Sequence, residues 1–184
     1  MNFFVGITGA SGVRLGVRLV GELVSRGTVH LSFTPQAQAI AAEEGVSLVF
    51  PDGVKIWPLE ALNAPVSSGS FRLKGTVIVP CSMGTLGRLA AGVSSNLIER
   101  AGDVALKEKW PLILVPRETP LSLIHLENMA TLARAGAVIL PPVLTYYHWP
   151  RCIEDMEDFI LGKILDHLGL DHALFRRWGD EAGR

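Results

Sequence analysis

Arg117 and Glu118 stand side by side behind an apolar run that closes on a proline, PLILVP. A charged pair at the end of a buried strand costs free energy unless it meets a ligand or partner, so the two read as a functional pair. Arg100 and Lys107 are seven residues apart, two turns of helix, and share one helix face. Alone they are a solvated charged face; beside Arg117 they extend a cationic set. Two loops rich in glycine and hydroxyls complete the chemistry. GITGASG, residues 6–12, places three glycines, Thr8 and Ser11 between a strand and a helix start, which are the makings of an anion cradle. PCSMGT, residues 80–85, sets small residues and free amides at another helix start, where Ser82 by itself would be an ordinary N-cap.

Neither loop carries a nucleotide signature. No Gly-Lys-Ser/Thr ends the first, and its glycines do not fall at G-x-G-x-x-G spacing. Glu43 and Glu44 close a short, otherwise apolar helix, where surface solvation is the plain reading. Tyr146, Tyr147, His148 and Trp149, then Lys163 and Trp178, form a late aromatic and basic set whose members read singly as packing. His125 and His148 have no second ligand at metal spacing, so no metal is expected. Cys81 and Cys152 make neither a metal motif nor a disulfide framework.

These side chains need a scaffold, and 184 residues, 48% hydrophobic and 19% charged, suffice for one well-buried core; a single domain over 1–184 is expected. A net charge of −1 without a basic run excludes the electrostatic footprint of a nucleic-acid binder and favours small ligands. MNFFVGITG has no basic leader, and no apolar run approaches the roughly 18 residues that span a bilayer. A cytoplasmic protein without a membrane partner is expected. The mean hydropathy of +0.32 predicts apolar surface used in subunit contacts, hence a homo-oligomer.

The apolar runs NFFVGIT, VHLSFT, TVIVP, PLILVP and AVILP alternate with helical periodicity over 13–26, 36–44, 83–92, 96–109, 122–134 and 153–168. Continuous apolar runs suit strands buried on both faces, so the alternation predicts an α/β sandwich with a mostly parallel sheet. Residues 50–74, with Pro51, Pro58, Pro65 and the run SSGS, read as a long functional loop. Ligands of open α/β sheets lie beyond the carboxyl ends of the strands. The site is therefore expected where TGASG, Thr34, PCSMGT and PRETP converge.

GITGASG, the long stretch from PCSMGT to ILPP at 80–142, YYH and RRWG together resemble the flavin prenyltransferase family of the UbiX type, over nearly the whole chain. The resemblance implies a flavodoxin-like, Rossmann-like three-layer fold, trimers gathered into dodecamers, and active sites between subunits. It implies transfer of a dimethylallyl group from dimethylallyl monophosphate to N5 and then C6 of reduced FMN. The prenylated FMN would pass to UbiD-type decarboxylases, placing the chain in prenylated-FMN and ubiquinone biosynthesis. Carried over by position, Gly9, Ala10, Ser11, Thr34, Ser82, Met83, Thr85, Arg100 and Arg117 would hold the flavin, with Ser11 and Glu44 at its reacting edge. Lys107, Arg117, Glu118, Tyr147 and Lys163 would surround the prenyl phosphate, with Ser68 of SSGS beside the prenyl pocket and Trp178 closing nearby. Glu44 would be the base at C6, Glu118 the proton carrier, and Lys107 a catalytic cation. Two positions depart from the family pattern: Lys163 stands where arginine is usual, losing the bidentate fork, and Thr34 where serine is usual.

Two other readings compete. FMN-dependent cysteine decarboxylases share the fold but carry PASANT where this chain has PCSMGT, a P-x-M-N stretch where it has PRET, and an upstream histidine; here the only histidine before Cys81 is His30, early in a strand. A non-catalytic flavoprotein assembly subunit would have no use for Lys107, Arg117, Glu118 and Tyr147.

Overall fold

The computed structural model describes residues 1–179. The chain falls into two compact units, Met1–Pro141 and Pro142–Arg184. The first unit runs β1 (Asn2–Ile7), α1 (Val13–Val24), β2 (Thr28–Phe33), α2 (Pro35–Glu43), β3 (Val54–Ile56), a 3-10 turn (Pro65–Ser67), β4 (Gly75–Cys81), α3 (Met83–Ala90), α4 (Leu97–Glu108), β5 (Leu112–Pro116), α5 (Leu123–Arg134) and β6 (Val138–Ile139). The second unit contains α6 (Ile153–His167).

All strand pairs are parallel, in the order β3-β2-β1-β4-β5-β6. Without the three-residue edge strand β3 this is the flavodoxin order. The fold is flavodoxin-like α/β, as expected.

The register shows how the layers form. Along β1, Phe3, Val5 and Ile7 face one side and Phe4 and Gly6 the other. A Cβ on Gly16 of α1 would lie 3.0 Å from Ile7 Cγ1, whereas a Cβ on Gly6 would lie 2.7 Å from Ile98 Cγ2 of α4. Helices α1 and α4 therefore cover opposite faces, giving three layers. The α4 side holds a core that includes Phe4, Ile78, Leu97, Ile98, Leu112 and Leu114.

The helices begin where the sequence supplies caps. The side chains of Thr34, Ser82, Asn96 and Ser122 accept hydrogen bonds from the backbone of the first turns of α2, α3, α4 and α5. Helix α4 ends at Lys109, in the left-handed region at φ 56°. The long loop at 50–74 contains two elements not expected from the sequence, β3 and the 3-10 turn, and the predicted strand AVILP pairs only at Val138 and Ile139.

On the α4 side, His30 pairs in register with Phe4 and is only 1% exposed. Trp57 Nε1–H donates to His30 Nδ1 at 3.0 Å, and Phe71 meets the imidazole edge-on at 5.2 Å. Burial, helped by Lys55, pushes the His30 pKa from its ordinary 6.5 down to about 4. The unfolded chain thus takes up this proton below 6.5 while the folded one resists until about 4. Stability should fall across that window as pH drops, by up to about 1.4 kcal/mol per pH unit. Urea unfolding at a series of pH values checks this: His30→Phe should flatten that acid limb while lowering the neutral plateau, because Trp57 loses its acceptor.

Candidate active site

The sheet order reverses between β1 and β4, and at such a switch point the strands' carboxyl ends open a crevice. The loops leaving those two ends are the two picked out by the sequence, and the structure ties them together. Thr8 Oγ1 donates to Pro80 O at 2.9 Å and accepts from Ser82 N–H at 2.7 Å. Ser82 Oγ accepts from Thr85 N–H at 3.3 Å and donates to Thr85 Oγ1 at 3.1 Å, leaving Met83 at the first turn of α3.

Behind this loop lies a charged pair that sequence reasoning missed. Glu99 is 0% exposed and pairs with Arg88, which also reaches Thr85 Oγ1 at 3.4 Å. Ser95 adds its N–H at 2.9 Å and its hydroxyl at 2.6 Å. Burial alone would raise the Glu99 carboxyl's pKa, but the bonds from Ser95 and Arg88 hold it below its ordinary value. Arginine can serve both partners because its fork offers separate nitrogens, which lysine lacks.

In the β1 loop, Gly9 is required by close approach: a Cβ there would sit 2.5 Å from Gln36 Cβ. Ala10 is buried and Ser11 exposed. Gly12, at φ 93°, is the N-cap of α1 and offers no side chain to cap it. The missing cap comes from Glu44, whose carboxylate accepts Gly12 N–H at 2.8 Å and Val13 N–H at 3.1 Å. The anion-cradle expectation is corrected accordingly: the amides that a ligand phosphate would use already hold an internal carboxylate. Glu44→Ala should lower stability by about 1 kcal/mol, the usual worth of an N-cap with its dipole term, and Glu44→Gln by less. A shift in urea midpoint at constant slope measures it.

Thr34 caps α2 through Ala37 N–H at 3.1 Å. Arg100 and Lys107 share a face of α4, as their spacing requires, and both meet the SSGS segment. Arg100 Nε donates to Ser67 O at 3.1 Å and its Nη1 pairs with Asp103 at 2.8 Å. Lys107 pairs with Glu108, and a Cβ on Gly69 would come 2.9 Å from Lys107 Nζ. Ser68 Oγ and Ser70 Oγ are bonded at 2.9 Å.

At the end of β5, Arg117 N–H donates to Cys81 O at 3.3 Å, holding this residue against the end of β4. Its Nε is buried without a hydrogen-bond partner. The expected pairing with Glu118 is corrected: the Glu118 carboxylate accepts Thr119 N–H at 3.0 Å instead. Successive side chains of an extended segment point to opposite sides, so neighbours there do not meet.

In the second unit, Tyr147 meets Phe159 at 5.8 Å and Trp178 at 5.4 Å, both edge-on. Lys163 Nζ lies 3.7 Å from Asp166.

A family model described as Flavoprotein matches residues 1–165. A flavin prenyltransferase UbiX from Halalkalibacterium halodurans is 46% identical, over 97% of this chain and 94% of its own. The crystal structure of AnUbiX in complex with FMN and dimethylallyl pyrophosphate is 41% identical, with a TM-score of 0.91 over 98% of each chain. The chain belongs to the flavin prenyltransferase family of the UbiX type. A dodecameric FMN-dependent UbiX-like decarboxylase from Escherichia coli O157:H7 is 38% identical, with a TM-score of 0.89 over 97% of this chain and 99% of its own. UbiX relatives thus carry both prenyltransferase and decarboxylase names, and the reaction has to be argued from residues. For this UbiX-type chain the loops at 8–12 and 82–85 and the end of β5 come together at the switch point, while Arg100 and Lys107 gather at the SSGS segment. Among the described residues no group of three His, Cys, Asp or Glu side chains could hold a metal, and no helix is long and apolar enough to cross a membrane.

Proposed function

We propose that the chain is a flavin prenyltransferase that joins the dimethylallyl group of dimethylallyl monophosphate to N5 and C6 of reduced FMN. The observation that carries this reading is the buried, unpartnered Nε of Arg117 at the switch point, flanked by the linked loops of β1 and β4. A buried guanidinium nitrogen without a partner costs free energy until an anion meets it. The polar set fits FMN: the cations Arg100 and Arg117 and the hydroxyls of Ser11, Thr34, Ser82 and Thr85. The flavin bound in AnUbiX supports the assignment.

Reduced FMN supplies the two nucleophilic atoms; the chain's side chains do the rest. Gly9, Ala10, Ser11, Thr34, Ser82, Met83, Thr85, Arg100 and Arg117 bind and orient the flavin. Lys107, Arg117, Tyr147 and Lys163 donate to the donor's phosphate, stabilising the charge that gathers on its oxygens as the allylic C–O bond breaks, a role that needs no metal. Ser68 borders the prenyl pocket and Trp178 offers an aromatic face to the allylic cation. Glu118 gives a proton to the departing phosphate, and Glu44 accepts the proton lost at C6 when the ring closes.

The exposed side chains of Leu123, Ile124 and Leu126 on α5, together with the dodecameric relative, support a homo-oligomer. Delivery of the product to a UbiD-type decarboxylase and a cytoplasmic location belong to the same proposal.

The second reading, decarboxylation, is favoured by decarboxylase names such as that of the E. coli relative. His30, the one histidine before Cys81 in the sequence, is buried against Trp57 and Phe71. The test is release of phosphate from dimethylallyl monophosphate and of pyrophosphate from the diphosphate, with reduced FMN, against carbon dioxide release from carboxylic acids. Prenyl transfer predicts release of the leaving group that depends on reduced flavin and is fastest with the monophosphate; carbon dioxide release without prenyl transfer would support the second reading.

A further inference from the structure

A glycine inside α6 marks a docking notch in the second unit. Glycine weakens a helix interior relative to alanine, so its presence at Gly162 calls for a close neighbour. A Cβ there would lie 2.5 Å from His172 Cε1 and 2.6 Å from Phe175 Cδ1. One turn later, Asp166 binds the same segment: its carboxylate accepts from His172 Nε2 at 3.1 Å and from Arg177 at 2.7 and 3.1 Å. The hydrogen bonds from Arg177, reinforced by His172, hold the Asp166 carboxyl below its ordinary range against the effect of burial. Phe175 packs on Phe159 at 4.8 Å, and the Arg177 guanidinium lies 5.5 Å from the centre of the Phe175 ring. The next residue is Trp178, edge-on to Tyr147.

We propose that Gly162 and Asp166 form a dock for residues 172–177 that sets Trp178 against Tyr147, which makes Asp166 and Arg177 positioning residues for the donor's end of the reaction. Asp166 does this twice over, because it also holds Lys163. The inference rests on the reading that Tyr147, Lys163 and Trp178 bind the prenyl donor. The charge of Asp166 matters more than its shape, since a charge-assisted, two-pronged bond to arginine is about twice as strong as a neutral one.

The test uses the full chain with Asp166→Asn, Gly162→Ala and Arg177→Gln. Without donor, hydrogen exchange of residues 172–178 is followed by mass spectrometry. Each variant should lose about tenfold in protection there, the size of one charge-assisted bond. Gly162→Ala is the sharpest arm, because alanine should otherwise strengthen the helix. With donor, KM for dimethylallyl monophosphate should rise about tenfold while FMN affinity stays within about twofold. Unchanged exchange in Gly162→Ala and Asp166→Asn overturns the dock. Faster exchange with an unchanged donor KM overturns the positioning role. The exchange arm needs no donor, so it separates a failure of this inference from a failure of the prenyl-transfer reading.

Discussion

Glu118→Gln is expected to slow prenyl transfer by about 10² to 10⁴, the usual worth of general acid–base catalysis, and to leave flavin affinity nearly unchanged. Glutamine keeps the shape of the side chain and the acceptor that Thr119 N–H uses at 3.0 Å. What it loses is the proton. Glu118 is exposed beyond the end of β5 and is not tied up by Arg117, so its carboxylate is available to a phosphate approaching that strand end. A phosphate monoester is a poor leaving group as a dianion, and a proton delivered while the C–O bond breaks lowers that barrier. Anaerobic single turnover, following phosphate release and the mass of the flavin, measures the step. Glu44→Gln in the same experiment should transfer the prenyl group at the wild-type rate and close the ring slowly. A wild-type rate of transfer in Glu118→Gln would remove the role assigned to that residue.

Arg117→Leu is expected to weaken FMN binding by about 30- to 5,000-fold, because truncating one partner of a buried charged contact costs about 2–5 kcal/mol. The motive is the Nε atom, buried and without a partner, on a residue whose backbone is fixed to Cys81 O. Arg117→Lys should fall between the two, since lysine keeps the charge without the planar fork. Quenching of flavin fluorescence on titration gives the affinities. An affinity within about twofold of wild type would show that Arg117 faces no anion.

Much of the scaffold was legible because its signals are local. Asn96 and Ser122 mark helix starts, and α4 and α5 begin immediately after them. The runs at 2–7 and 112–116 read as buried strands because helices cover both faces of the sheet. What escaped depends on contacts distant in sequence. The strand β3 exists through its register with Val29, His30 and Leu31, and three residues amid prolines carry no period to detect. The cap that Glu44 provides for α1 joins residues 31 and 32 positions apart, so the pair EE could only be read as surface charge. Arg88 looked like any exposed arginine of α3 until the fold brought it to Glu99. The nearness of Arg117 and Glu118 in sequence places both at one strand end, but backbone alternation turns their side chains apart, which adjacency alone does not reveal.

The most direct test of the central claim is the mass and absorbance of the flavin recovered after the purified protein is incubated anaerobically with reduced FMN and dimethylallyl monophosphate. Prenyl transfer predicts a flavin heavier by one isoprene unit, with an altered spectrum and one phosphate released per flavin changed. Recovery of unmodified FMN from protein that has bound both compounds would contradict it.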